Sequence, residues 1–262
     1  MIVSQIYTGN NYRNFNYLIA CSETGEALAI DPLAYKMCYE EAKKNNWKIT
    51  SIVNTHEHFD HIGGNSGLTK LTGAKIYAHE NAKDKIPNVD FGLSFGSRIK
   101  IGNTVELEIL DTPGHTMSHI CLLSRGSMNA LFSGDTLFNA GVGNCHNGGH
   151  PERLYETFYK ILFELDQNTL IYPGHDYIKN NLLFTLDREP NNSKAKSLLD
   201  KVSLQDPRKA FVTDMSLEFK VNSFFRLNED EVIKELEKKG ELKNGKNPKE
   251  VFLALRRLRN NW

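Results

Sequence analysis

The chain of 262 residues is long enough for one large α/β domain or for an ordinary domain with a smaller appendage, and two unequal pieces are expected. Its 40% hydrophobic and 24% charged content excludes a disordered or fibrous chain. Lys plus Arg equal Asp plus Glu at 32 each, so no net field draws it to nucleic acid or to an anionic membrane, and a small-molecule partner fits better.

The amino-terminal MIVSQIYTGNNYRNF has no basic segment followed by an apolar one, and no run of about 18 apolar residues occurs, so a cytoplasmic location is expected. Next come short apolar runs between turn signals, YLIA at 17–20, ALAI at 27–30, ITSIVN at 49–54, KIYA at 75–78 and VELEIL at 105–110, which read as strands. A stretch of helical length, 33–46, separates the second run from the third, in the order of an α/β layer. ALFSGDTLF at 130–138 predicts a strand running into a loop. Over 152–165, Leu154, Phe158, Ile161, Leu162 and Leu165 fall at helical spacing and predict one amphipathic helix. TLIYPG at 169–174 reads as a strand, and a second helical pattern follows His175. DREPNNSK, 187–194, interrupts that pattern, so the expected division is 1–185 and 186–262, the second part richer in helix formers and charge. In the last segment Asn247, Pro248 and Glu250 form the signature of a capped helix start.

Cys21, Cys38, Cys121 and Cys145 are scattered without a C-x-x-C pair, so reduced thiols are expected rather than a disulfide framework. The histidines instead cluster among Gly, Asp and Thr. The run 49–54 opens directly into Thr55-His56-Glu57-His58-Phe59-Asp60-His61, four candidate ligands where a strand meets a loop. In an extended strand end His56 and His58 project to one side and can share an ion, while Asp60 and His61 follow the bend and are placed for a second. Three further segments, Asp111-Thr112-Pro113-Gly114-His115-Thr116, Phe132-Ser133-Gly134-Asp135-Thr136 and Tyr172-Pro173-Gly174-His175-Asp176, each present His or Asp beside glycine after an apolar strand. A solvated His-rich loop is the bland alternative for the first segment, and the three others oppose it.

The order and spacing of T-H-x-H-x-D-H, G-H-T, G-D-T and G-H resemble the metallo-β-lactamase superfamily over residues 1 to 180. The resemblance implies an αβ/βα sandwich with a smaller C-terminal helical domain. It also implies that His56, His58 and His115 hold one metal, that Asp60, His61 and His175 hold the other, and that Asp135 bridges them. The ligands suggest the chemistry directly: two divalent ions about 3.5–4 Å apart make hydroxide available at neutral pH. Their residual positive charge stabilises the oxyanion of acyl transfer, with Asp60 and Asp135 as the catalytic carboxylates. Zinc suits such ligands, and iron or manganese are alternatives.

GDTLF followed by a Gly-rich loop, then GHDY and a terminal FLALRRLRNNW, resemble glyoxalase II, the hydroxyacylglutathione hydrolase. This implies hydrolysis of S-D-lactoylglutathione to D-lactate and glutathione by a metal-bridging hydroxide. It also implies that Tyr177, Arg256 and Arg259 bind the glutathione part, with the two arginines at i and i+3 suited to a carboxylate. Asn222-Ser223-Phe224-Phe225-Arg226 resembles the family's Asn-Pro-Phe-x-Arg turn, with Ser223 in place of proline. Asn144 and His146 stand where the family carries a basic residue and a tyrosine that contact glutathione, which leaves room for a different thiol. His79, His119 and His150 read as structural, His119 as a supporting partner of the ligands; Cys145 beside His146 reads as no nucleophilic pair. The alternatives are a persulfide dioxygenase, a hydrolase of another acyl thioester and a lactonase. A metal-stabilised binding module is disfavoured because an open ligand set favours catalysis. A monomer or small homo-oligomer is expected.

Overall fold

The computed structural model describes residues 1–126, 128–242 and 244–262. They form two compact units, the first made of Met1–Thr112, Ser118–Gly134 and Pro173–His175, the second of Pro113–Met117, Asp135–Tyr172 and Asp176–Trp262.

In the first unit, β1 (Ile2–Tyr7), β2 (Phe15–Ala20) and β3 (Glu26–Ile30) pair antiparallel, and β4 (Lys48–Val53), β5 (Lys75–His79) and β6 (Phe91–Leu93) continue the sheet in parallel. Parallel neighbours need crossovers. These are supplied by α1 (Tyr35–Lys44) between β3 and β4, and by the one-turn α2 (Phe59–Ile62) and α3 (Asn65–Thr72) between β4 and β5. β2 is buried along its whole length. Its Leu18 and Ala20 pack with Cys38 and Ala42 of α1 and Leu68 of α3, while Tyr17 meets Phe132 edge-on at 5.5 Å. With both faces covered, residues 17–20 form a continuous apolar run, and the one polar side chain of the strand, Asn16, is buried with hydrogen bonds to Asp31 O and from Ala34 N. Phe132 belongs to an antiparallel succession of β7 (Arg98–Ile101), β8 (Val105–Asp111), β9 (Ile120–Ser124) and β10 (Ala130–Gly134).

The second unit begins with the short pair β11 (Leu137–Phe138) and β12 (Gly141–Val142), continues through α4 (Pro151–Lys160), and pairs β13 (Leu170–Pro173) with β14 (Thr213–Asp214). Five more helices follow, α5 (Ile178–Arg188), α6 (Ser193–Ser203), α7 (Met215–Val221), α8 (Asp230–Lys238) and α9 (Pro248–Asn260). α5 and α6 close on Leu182, Ala195, Leu198 and Val221. Phe158 of α4 packs on Phe225 at 5.0 Å and on Phe252 of α9 at 5.3 Å. Asn247 accepts a hydrogen bond from Glu250 N at 3.1 Å, so α9 starts at the expected cap.

Two local expectations differ. The helix expected over 152–165 ends at Lys160, because Ile161 leaves helical geometry at φ −122°, and a 3₁₀ turn over Leu162–Glu164 follows. Leu162 and Leu165 are buried all the same, so the apolar spacing reports burial and not one continuous helix. The strand expected to run into a loop over 130–138 is β10; within the expected loop Leu137 and Phe138 form the further short strand β11, and β10 ends where Gly134 takes φ +47°. A Cβ there would lie 2.6 Å from Thr55 Oγ1 and 2.7 Å from His119 Nε2, so only glycine fits.

Candidate metal centre and substrate cavity

β4 ends at Val53, and Asn54, Thr55 and His56 continue into the interior, all buried. His58 remains extended at φ −66°, ψ 144° before α2 turns the chain. Two steps along extended backbone bring the rings of His56 and His58 to 4.7 Å, with His56 Nε2 and His58 Nδ1 3.1 Å apart. The turn of α2 then aims Asp60 and His61 together. His61 Nε2 lies 3.2 Å from His175 Nε2, and Asp60 Oδ2 lies 3.6 Å and 3.5 Å from those two nitrogens. The donor atoms of Asp60, His61 and His175 fall within 4.8 Å of one another.

The outer nitrogens decide what these groups bind. His175 Nδ1 is 2.7 Å from the carbonyl of Tyr12, which only accepts, so Nδ1 carries the proton and Nε2 offers its lone pair. His61 Nδ1 lies 2.9 Å from Asp31 Oδ2 and donates to it. Asp31 is itself held by Thr55, whose amide donates to Oδ1 at 2.8 Å and whose hydroxyl donates to Oδ2 at 2.6 Å. His56 Nδ1 lies 2.9 Å from the same hydroxyl. Asn14 Nδ2 donates to Asp60 Oδ2 at 3.0 Å. Two imidazole lone pairs and a carboxylate thus converge at short range, an arrangement that repels itself unless a cation lies among them. The residues fit a metal ion.

A matching pair stands in the second unit. His115 Nδ1 donates to the carbonyl of Asn144 at 2.6 Å, which leaves Nε2 toward Asp135 Oδ2 at 3.5 Å. The backbone packs tightly around this pair. A Cβ on Gly143 would meet Asp135 O at 1.9 Å and His115 Nδ1 at 3.0 Å, and one on Gly149 would meet His115 O at 2.3 Å.

The same unit holds a cavity of about 330 Å³ lined by Phe138, Asn144, His146, Tyr177, Arg256 and Arg259 among others. Phe138 and Tyr177 meet edge to face at 5.2 Å. Arg256 is buried, and its guanidinium donates through Nη1 to the carbonyls of Val142 and Gly143 at 3.1 and 2.8 Å, and through Nε and Nη2 to Asn260 Oδ1 at 3.2 and 2.8 Å. Burial above all holds it down to about 10, with Cys145 raising it and Arg259 lowering it, so it stays charged at neutral pH. Arg259 is less committed. Its Nη2 donates to Asn181 Oδ1 at 3.1 Å, while its Nε is buried without a hydrogen-bond partner among the described residues. Burial also lowers its pKa.

The remaining singled-out residues sit as follows. His79 Nδ1 accepts from Asn81 N and caps a 3₁₀ turn. His119 is buried, 2.9 Å from Thr112 Oγ1, with its ring stacked on His56 at 5.1 Å. His150 is exposed and lies 2.9 Å from Glu152. Burial pushes the Cys145 thiol up to about 11, which disfavours the thiolate a nucleophile needs. Ser223 opens a 3₁₀ turn capped by Asn222, whose Oδ1 accepts from Phe224 N at 3.1 Å. Asp31 and Asn14, which hydrogen-bond to His61 and Asp60, are residues of the candidate site that the sequence reading missed. For Asp31 a signal existed, since it follows an apolar strand as the other acidic and imidazole groups do.

A family model described as the metallo-beta-lactamase superfamily matches residues 17–175, and one described as the hydroxyacylglutathione hydrolase C-terminus matches residues 176–262. A protein of Nitrosococcus oceani named hydroxyacylglutathione hydrolase is 57% identical over 263 residues, covering 100% of both chains. One of the same name from Polaromonas sp. is 56% identical, again over 100% of both. Among solved structures, ETHE1 from Myxococcus xanthus is similar with a TM-score of 0.67 and 25% identity, over 99% of this chain and 98% of that one.

Proposed function

The chain belongs to the metallo-β-lactamase superfamily and, within it, to the hydroxyacylglutathione hydrolases, and from that premise we propose that it hydrolyses S-D-lactoylglutathione to D-lactate and glutathione. The observation that carries this reading is full-length similarity to two hydrolases of that name, joined to imidazole lone pairs that converge within 3.2 Å.

In this reading His56, His58 and His115 would hold one ion, Asp60, His61 and His175 would hold the second, and Asp135 would serve both. Two bound divalent ions, with zinc expected and iron or manganese as alternatives, supply a nucleophile at neutral pH and polarise the thioester carbonyl. The protein's own groups do the rest. Asp31 and the Tyr12 carbonyl keep the Nε2 lone pairs of His61 and His175 turned inward. Asn14 fixes Asp60, so that the Asp60 and Asp135 carboxylates hold the attacking water in orientation. Water adds to the thioester carbon, the carbon–sulfur bond breaks, and the thiol leaves with a proton while the acyl part leaves as the acid.

The cavity in the second unit receives the thiol part. Tyr177, Arg259, Asn144, His146 and Arg256 line it, and one Arg256 N–H is without a hydrogen-bond partner among the described residues. We assign catalysis to residues 1–185 and substrate binding to residues 186–262 through Arg256 and Arg259, with Asn144, His146 and Tyr177 of the first segment completing the cavity. A cytoplasmic setting, and a monomer or small homo-oligomer, complete the proposal. Among the described residues no helix is long and apolar enough to cross a membrane, and Cys21, Cys38, Cys121 and Cys145 remain outside disulfides.

The test is steady-state turnover by metal-analysed protein of S-D-lactoylglutathione, a glutathione-free acyl thioester and glutathione persulfide. Preference for the lactoyl substrate is the expected result. Equal turnover of the glutathione-free thioester would overturn the assignment of the thiol, and oxygen uptake with the persulfide would overturn the hydrolase itself.

A further inference from the structure

The segment from Asn139 to Asn144 is gripped at successive peptides by side chains of the helices that follow it. Asn181 donates to Asn139 O at 3.0 Å, and Ala140 N donates to both carboxylate oxygens of Glu218 at 3.0 Å. Asn222 donates to Gly141 O at 3.2 Å, and Arg256 donates to Val142 O and Gly143 O at 3.1 and 2.8 Å. All four gripping residues are at most 3% exposed, so water does not compete for these carbonyls and amides. The next carbonyl in the series, that of Asn144, accepts the Nδ1 proton of His115 at 2.6 Å. Gly143 lies against both His115 and Asp135, too close for any side chain. A shift of this segment therefore moves the acceptor that sets the tautomer and ring direction of His115.

We propose that Arg256 is a positioning residue for the metal centre, locking the Val142–Asn144 backbone so that the Asn144 carbonyl holds His115 in its ligating orientation. The terminal helix α9 thus helps to assemble the centre as well as to line the cavity. Four of the five Arg256 N–H groups are engaged by the protein, two of them on consecutive carbonyls, and Asn260 fixes the guanidinium plane from the far side. The proposal rests on the reading of His115 as a ligand.

The experiment loads wild type, Arg256→Ala, Arg256→Lys and Arg257→Ala with cobalt(II), then follows the visible absorption and the release of each ion to a chelator, alongside kcat and KM. Arg257 is an exposed neighbour that donates to Glu241 O, and its variant should match wild type. Both Arg256 variants should bind one of the two ions about 10- to 100-fold more weakly, with an altered spectrum and a lowered kcat. Lysine keeps the charge but not the planar fork, so it should not rescue; where Arg256→Ala fails to fold, Arg256→Lys decides. Wild-type ion release and spectrum in Arg256→Lys, with KM alone raised, would overturn the positioning role. His115→Ala separates the two readings. Retention of both ions there overturns the ligand assignment, whereas loss of one ion there with an unaffected Arg256→Lys overturns only the role of Arg256.

Discussion

Each imidazole has two nitrogens, and the partner of one decides what the other offers. At His175 and His115 that partner is a backbone carbonyl, which only accepts, so the inward lone pair is guaranteed by the chain itself. At His61 it is the Asp31 carboxylate, which also takes the Thr55 amide and hydroxyl. Asp31→Asn keeps the shape but offers one acceptor where three donors converge, and an amide N–H would face one of them. We expect a 10- to 100-fold loss of metal affinity or turnover with the fold retained, since supporting partners of metal ligands carry about that weight. Metal analysis and circular dichroism on the same sample check it, and full metal occupancy in the variant would remove Asp31 from the centre. The replacements at Asn144 and His146 act at this scale too. Asn144 is exposed, and its backbone carbonyl, not its side chain, holds His115, so that duty survives a change of side chain.

The terminal helix α9 shows how an element carries a site. Pro248 and the Asn247 cap begin it, Val251, Phe252 and Leu255 bury its inner side, and Arg256 and Arg259 follow within the next turn. Loss of the cap should fray the first turn without reaching the arginines. Asn247→Ala is expected to cost about 1 kcal/mol, read as a lower midpoint of urea unfolding at unchanged slope. KM should hold, because Arg256 lies more than two turns further on. A raised KM at saturating metal would mean that the register of α9 depends on its first turn. α4 illustrates the opposite case. Its apolar spacing continues through residue 165, but the chain leaves the helix at Ile161 and still buries Leu162 and Leu165.

At the scale of the whole molecule, stability is expected to depend on proton and metal binding. Glu218 is fully buried, and burial pushes its carboxyl from 4.5 up to about 7, although Thr213, the Ala140 amide and Asn222 oppose the rise. The folded state then holds a proton that the unfolded chain releases, so this contribution is complete below about pH 4.5 and is lost as pH rises toward 7. Stability should fall across that window with a slope of at most about 1.4 kcal/mol per pH unit from this group. Glu218→Gln should flatten the curve there, and an unchanged pH dependence would assign it to other groups. Removal of metal acts on the same balance. A chelator should lower the midpoint of thermal unfolding and zinc should restore it, because an ion held by the folded state alone stabilises it by mass action. An unmoved midpoint would mean that the ligand cluster stays assembled without its ions.

How much of this was legible follows from what each feature depends on. Apolar runs bounded by turn residues, the cap at Asn247 and the His and Asp groups just past strand ends are local patterns, and local geometry is enough to read them. A strand end presents its next side chains at the edge of the sheet, and imidazole beside carboxylate has few chemical uses. Asp31 and Asn14 escaped because a single acidic residue after a strand, or a single amide before one, has many ordinary roles, and only the folded chain brings Asp31 to His61, 30 positions away, and Asn14 to Asp60, 46 positions away. The same holds for the grip of Glu218, Asn222 and Arg256 on residues 140–143, which joins positions 78 to 114 apart. The types of ligand and the class of chemistry were therefore determined by the sequence alone. Which nitrogen of His61, His115 and His175 carries the proton and which keeps its lone pair, and how fully each cavity arginine is engaged, were decided by the tertiary structure, because a hydrogen-bond partner is chosen by proximity in space and not by spacing along the chain.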